Sequence, residues 1–129
     1  MTRKLIARIK GGLGNQLFCY AAARRLALVN NAELIIDDVT GFARDRRYCR
    51  QYALDHFRIP VRKATPAERL EPFERYRRSI VKWLARKKPF AERRYLEQEG
   101  PGFDERLLAL KLQGVLYLDG LWPSEGYFK

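Results

Sequence analysis

The sequence predicts an α/β domain, and three features carry that expectation. A short apolar run, Leu5 to Ile9, leads directly into Gly11-Gly12-Leu13-Gly14, and a helical pattern follows. A second apolar run, Glu33 to Ile36, follows the helix, so the opening segment reads as a βαβ unit with a parallel pair and a right-handed crossover. A third run, Val115 to Leu118, comes after further helical pattern, and this alternation marks the α/β class.

The first helix is expected from Asn15 or Gln16 to about Val29. Phe18, Ala22, Leu26 and Val29 fall on one stripe and Leu17, Ala21 and Leu28 on a second, so a mostly buried helix is expected. Asn30-Asn31 ends it, and the second strand closes with Asp37-Asp38. Thr40 to Tyr52 is polar and basic and reads as a loop; Tyr52, Leu54, Phe57 and Ile59 then mark a brief helix or strand. Thr65-Pro66-Ala67-Glu68 is a helix start, with a hydroxyl cap, proline in the first turn and glutamate three residues on. Pro72 restarts or kinks that helix. Phe73, Tyr76, Ile80 and Leu84 then keep helical spacing until Lys87-Lys88-Pro89 stops it.

Composition narrows the function classes. Twenty-six Lys and Arg stand against 15 Asp and Glu, a formal charge of +11, which points to an anionic partner. The hydrophobic fraction of 47% supports a packed core rather than disorder. Cys19 and Cys49 are the two cysteines; they cannot furnish a zinc quartet, no Cys-x-x-Cys spacing exists, and two reduced, buried thiols are the expectation. Leu5 to Ile9 is interrupted by Arg8 and is too short for a signal-peptide core, and no apolar run approaches the ~20 residues of a membrane span. A cytoplasmic protein is expected.

The glycine turn is the most informative segment. It joins a strand to a helix N-terminus, where free backbone N–H groups and the helix dipole favour an anion, and glycines allow close approach of a phosphate. Gly12, Leu13, Gly14, Asn15 and Gln16 are therefore the candidate binding residues for a diphosphate-bearing ligand. The string is neither a P-loop, which ends in Gly-Lys-Ser/Thr, nor a dinucleotide fingerprint, since Leu17 stands where a third small residue belongs. A tight turn with no ligand is the alternative.

The segment Gly11-Gly12-Leu13-Gly14-Asn15-Gln16-Leu17-Phe18, with Tyr20-Ala21, resembles the N-terminal signature of family 11 glycosyltransferases, the GDP-fucose-dependent α-1,2-fucosyltransferases. Two further blocks in the same order strengthen the resemblance: Tyr52 to Ile59, and Leu118-Asp119-Gly120-Leu121-Trp122-Pro123-Ser124-Glu125 with Tyr127-Phe128. Leu121, Pro123 and Gly126 depart from the family's Tyr, Gln and Lys, and the chain has about half the family's length, without its later arginine motif. The resemblance implies a fragment or curtailed relative, formed by the N-terminal Rossmann-like domain (1–129) of a GT-B fold whose C-terminal donor-binding domain is absent, and so a chain inactive by itself. It implies inverting transfer of L-fucose from GDP-fucose to the 2-hydroxyl of a galactoside acceptor, with no metal, no other cofactor and no nucleic acid partner.

No catalytic residue is assigned. Asp37 and Asp38 end a strand on the edge where α/β ligands bind, but turn-forming roles suit them better; Glu125 suits a helix start and His56 a packing or surface position. The basic stretch from Arg62 to Arg94, with Phe73, Tyr76 and Trp83 interleaved, admits three readings: a solvated helix with its aromatics in the core, a helix lying peripherally on anionic lipid at the inner membrane face, or a nucleic-acid surface. A small basic α/β binding module is thus the alternative to an enzyme.

Overall fold

The computed structural model describes residues 3–100 and 103–127. Among these, five strands form one parallel sheet: β1 (Lys4–Arg8), β2 (Glu33–Asp37), β3 (Arg62–Lys63), β4 (Tyr95–Glu97) and β5 (Val115–Asp119), in the spatial order β3-β2-β1-β5-β4. Two α-helices accompany them, α1 (Leu13–Val29) and α2 (Glu74–Arg86). The arrangement is α/β and Rossmann-like. Strands β3 and β4, two and three residues long, have no counterpart in the expected elements, because alternation cannot be read over so few positions.

The two faces of the sheet differ in chemistry. Leu5, Ala7 and Ile9, Ile36, Leu96, and Leu116 and Leu118 join Cys19, Ala22, Ala23, Leu26 and Ala27 of α1 in one apolar core. Only one stripe of α1 is buried; Leu17, Leu28 and Val29 are exposed, so the expectation of a mostly buried helix is corrected. Asn30 ends the helix as expected. Its buried amide donates to the carbonyls of Leu26 at 2.9 Å and Leu110 at 3.1 Å and accepts from Leu112 N–H at 2.8 Å, while Asn31 takes positive φ. The C-terminal block packs into the same core through Trp122 and Tyr127, whose rings meet edge to face at 5.5 Å. Phe128 lies outside the described residues.

On the second face Ile6, Ile35, Tyr95 and Tyr117 form a small cluster with Ala85 of α2. One pleat further on, pairing aligns Asp37, Arg8, Asp119 and Glu97 across four strands, a charged row at the carboxyl end of the sheet. Helix α2 lies over this row. The Thr65 to Glu68 capping box does form: Thr65 N–H donates to Glu68 Oε1 at 3.0 Å, and Glu68 N–H to Thr65 Oγ1 at 3.3 Å. It closes a single turn. The chain then passes through Leu70 and Phe73 with positive φ, and helix resumes only after Pro72.

Candidate functional site

Strand β1 lies between β2 and β5, so the chain leaves its carboxyl end at the point where strand order reverses. Open α/β sheets bind ligands in the crevice at such a point. The glycine turn stands there, and so does the loop that follows β5. Hollows of about 370 and 500 Å³ open elsewhere, at the amino ends of β4 and β5 and of β2 and β3, the edge that α/β ligand sites do not use.

Gly11 adopts φ 83°, and a Cβ on it would meet Asn15 Cβ at 2.9 Å, so the turn needs glycine on both counts. Gly12 is the N-cap of α1 in extended conformation, with no side-chain cap and no acidic residue in the first turn. The N–H groups of Leu13, Gly14 and Asn15 therefore have no intrahelical acceptor, and no carboxylate offsets the positive end of the dipole. Leu13 and Gly14 are exposed, and a Cβ on Gly14 would meet nothing within 4 Å.

Gln16 departs from its expected role. It is 1% exposed, and its amide donates to Gly11 O at 3.0 Å and Gln51 O at 2.9 Å while accepting from Ala53 N–H at 2.8 Å. It clamps the turn to the loop before the 3₁₀ turn Leu54–His56, leaving a ligand to meet the backbone of Gly12, Leu13 and Gly14 and the half-buried Asn15.

One cation stands against the turn, and others gather on Asp119. The guanidinium of exposed Arg50 lies 3.8 Å from where a Gly12 Cβ would stand, stacked at 4.5 Å on Tyr48. Lys10, immediately before the turn, holds its Nζ 2.9 Å from Asp119 Oδ1, and Arg8 Nη1 donates to Oδ2 at 3.2 Å. Tyr95 donates to the same Oδ2 at 2.5 Å, and Lys82 of α2 stands 3.7 Å away. Burial would raise the Asp119 carboxyl, but Lys10 and Arg8 outweigh it and hold it well below the usual range. Asp119 thus anchors Arg8 and Lys10 at the carboxyl end of the sheet. Lys10, Arg8, Arg50 and Asp119 were not among the expected site residues; the legible signal was charge at strand ends flanking glycines.

Asp37 is fully buried and makes a turn, accepting from Val39 N–H, Thr40 N–H, Thr40 Oγ1 and Tyr117 O–H. Arg78 of α2 closes this cluster, donating to Tyr117 Oη at 3.1 Å, Thr40 Oγ1 at 3.2 Å and Glu74. Asp38 meets Lys63 at 3.5 Å, His56 is exposed, and Glu125 opens a 3₁₀ turn. Gly41 binds the loop after β2 against β1: a Cβ there would lie 2.2 Å from Ile9 O. The two cysteines separate. Cys19 is buried, with burial pushing its thiol up to about 11, whereas Cys49 is exposed, which corrects the expectation of two buried thiols.

Among the described residues no group of three or more His, Cys, Asp or Glu side chains could hold a metal, and no helix is long and apolar enough to cross a membrane. No protein-family model, curated protein or solved structure matches the chain.

Proposed function

We propose that the carboxyl edge between β1 and β5 binds the diphosphate of a nucleotide sugar, and that the chain is the N-terminal part of an α-1,2-fucosyltransferase of the GT-B type. One observation carries this reading: α1 begins at an uncapped, acid-free glycine turn whose first N–H groups have no intrahelical acceptor, with the guanidinium of Arg50 against Gly12. Backbone N–H groups of Leu13, Gly14 and Asn15 suit phosphate oxygens, and the Arg50 guanidinium suits the charge that grows on a diphosphate leaving group. The ordered resemblance to family 11 names the donor as GDP-fucose and the acceptor as a galactoside.

Inverting transfer also requires deprotonation of the acceptor hydroxyl and a wall opposite the leaving group. Asp37 is committed to Thr40 and Tyr117, and Asp119 to Lys10 and Arg8, so neither buried carboxylate is free to act as base. In a GT-B arrangement both requirements fall to a second domain facing this edge. This chain contributes the donor-side surface.

The test is an amide-resolved NMR titration with GDP-fucose, GDP, inorganic pyrophosphate and free L-fucose. GDP-fucose and GDP are expected to shift the amides of Gly11 to Gln16, free L-fucose to leave them still, and Arg50→Ala to weaken both nucleotides. Shifts confined to other segments, or none at saturating GDP, overturn the site. Pyrophosphate binding as tightly as GDP overturns the nucleotide-sugar assignment while leaving an anion site.

A further inference from the structure

Helix α2 is packed inside out. Its side facing the sheet carries Arg78, Lys82 and Glu74 with Ala85 and the half-buried Val81, whereas Phe73 at its start and Tyr76, Ile80, Trp83 and Leu84 are between 50% and 76% exposed. At 3.6 residues per turn Tyr76, Ile80, Trp83 and Leu84 fall on one stripe about 100° wide, directed away from the sheet, and exposed Phe73 stands just before the helix as its N-cap. Arg77 and Lys88 border the stripe on one side and Arg75 and Arg86 on the other, while Lys87 Nζ sits over the Trp83 ring at 3.4 Å. Arg75, Arg77, Lys87 and Lys88 meet no carboxylate among the described residues, although nearby Arg69, Arg78 and Lys82 all do.

We infer that α2 lies on an anionic membrane surface, its aromatic and aliphatic stripe sunk to the headgroup boundary and its flanking arginines and lysines on lipid phosphates. An interfacial helix has this distribution: apolar residues rich in Trp, Phe and Leu on one side, Lys and Arg along the border. Charge selects the occupant. A second copy of the chain would bring the same unpaired cations face to face in a molecule of net charge +11. Nucleic acid would satisfy the cations but leaves Ile80 and Leu84, which have no ring to stack on a base, in water. Anionic lipid satisfies both sets at once. The surface is separate from the glycine turn, so binding here does not depend on the donor site.

Co-sedimentation with phosphatidylglycerol–phosphatidylcholine vesicles, against phosphatidylcholine alone, tests the inference. Binding is expected to the anionic vesicles only, to weaken as salt rises, and to weaken about fivefold for each of Arg75, Lys87 and Lys88 changed to Gln. The two tryptophans give a second readout. Trp122 is already 3% exposed, so a blue shift of emission on adding vesicles arises from Trp83 and is expected to vanish in Trp83→Ser. Ile80→Ser and Leu84→Ser, both at exposed positions, are expected to abolish vesicle binding without lowering the melting temperature. Absence of vesicle binding, or concentration-dependent dimerisation that shifts Trp83 emission without lipid, overturns the inference. So does binding of single-stranded DNA that matches anionic vesicles and is indifferent to Ile80→Ser.

Discussion

The two helices of this protein solve opposite problems. Helix α1 covers a sheet face made of Leu5, Ala7, Ile36, Leu116 and Leu118 and buries an apolar stripe against it. Helix α2 covers a face whose carboxyl row is Asp37, Arg8, Asp119 and Glu97, and it turns Arg78 and Lys82 inward. A helix buries whichever side matches its support. Against buried carboxylates, cations on the helix offset a desolvation cost that an apolar stripe would leave uncompensated, and the apolar side of α2 is consequently left outside.

That contrast can be broken first at its ionic side. Asp119→Asn leaves Lys10, Arg8 and Lys82 around a neutral amide, and a loss of about 3–5 kcal/mol is expected in urea unfolding. On the apolar side, Leu26→Ala opens a cavity under α1 and is expected to cost about 2–5 kcal/mol, with its effect independent of pH.

Acid sharpens the comparison without mutation. The Arg62 hydrogen bonds hold the Glu68 carboxyl down to about 2, against an ordinary 4.5, outweighing its partial burial. A carboxylate lowered in the folded state contributes stability that is complete above its unfolded value and is lost as pH falls through the folded one. Stability is therefore expected to be level above about pH 5 and to fall between 4.5 and about 2, with Asp119, also lowered, adding to the loss at the acid end. Glu68→Gln flattens the first part of that fall, and amide hydrogen exchange in α2 should quicken before exchange in α1.

Smaller effects separate fold from function. Gly14→Ala, in a helical position with open space around it, is expected to stabilise the chain by up to about 1 kcal/mol while weakening GDP at the turn. Ile80→Ser, on the outer side of α2, is expected to change stability by no more than about 0.5 kcal/mol, a quarter or less of the Leu26→Ala effect.

Much of this was legible in the residues. The run into Gly11-Gly12, the helix to Val29, the strands at Glu33 and Val115 and the helix ending before Lys87-Lys88-Pro89 all have local causes, namely periodicity, glycine and proline. Strands β3 and β4 had none, since two or three residues become strand only by pairing with β2 and β5. Gln16 sits beside the turn in sequence and looked like a ligand contact; Gln51 and Ala53, brought back across 35 and 37 positions, claim it for the loop. Asp119, with Gly120, read as a turn after the strand, and nothing local announces that Arg8 and Lys10 converge on it from more than a hundred residues away.

The sequence alone determined the α/β class, the place of the glycine turn and the existence of the two helical segments, because each depends on neighbours within a few turns of chain. Which side of α2 faces inward, which carboxylates are buried, and which cations gather on Asp119 were decided by the order β3-β2-β1-β5-β4. Strand order sets what each helix rests on, and the free energy of burying a charge depends on the partner waiting there rather than on the residue that carries it.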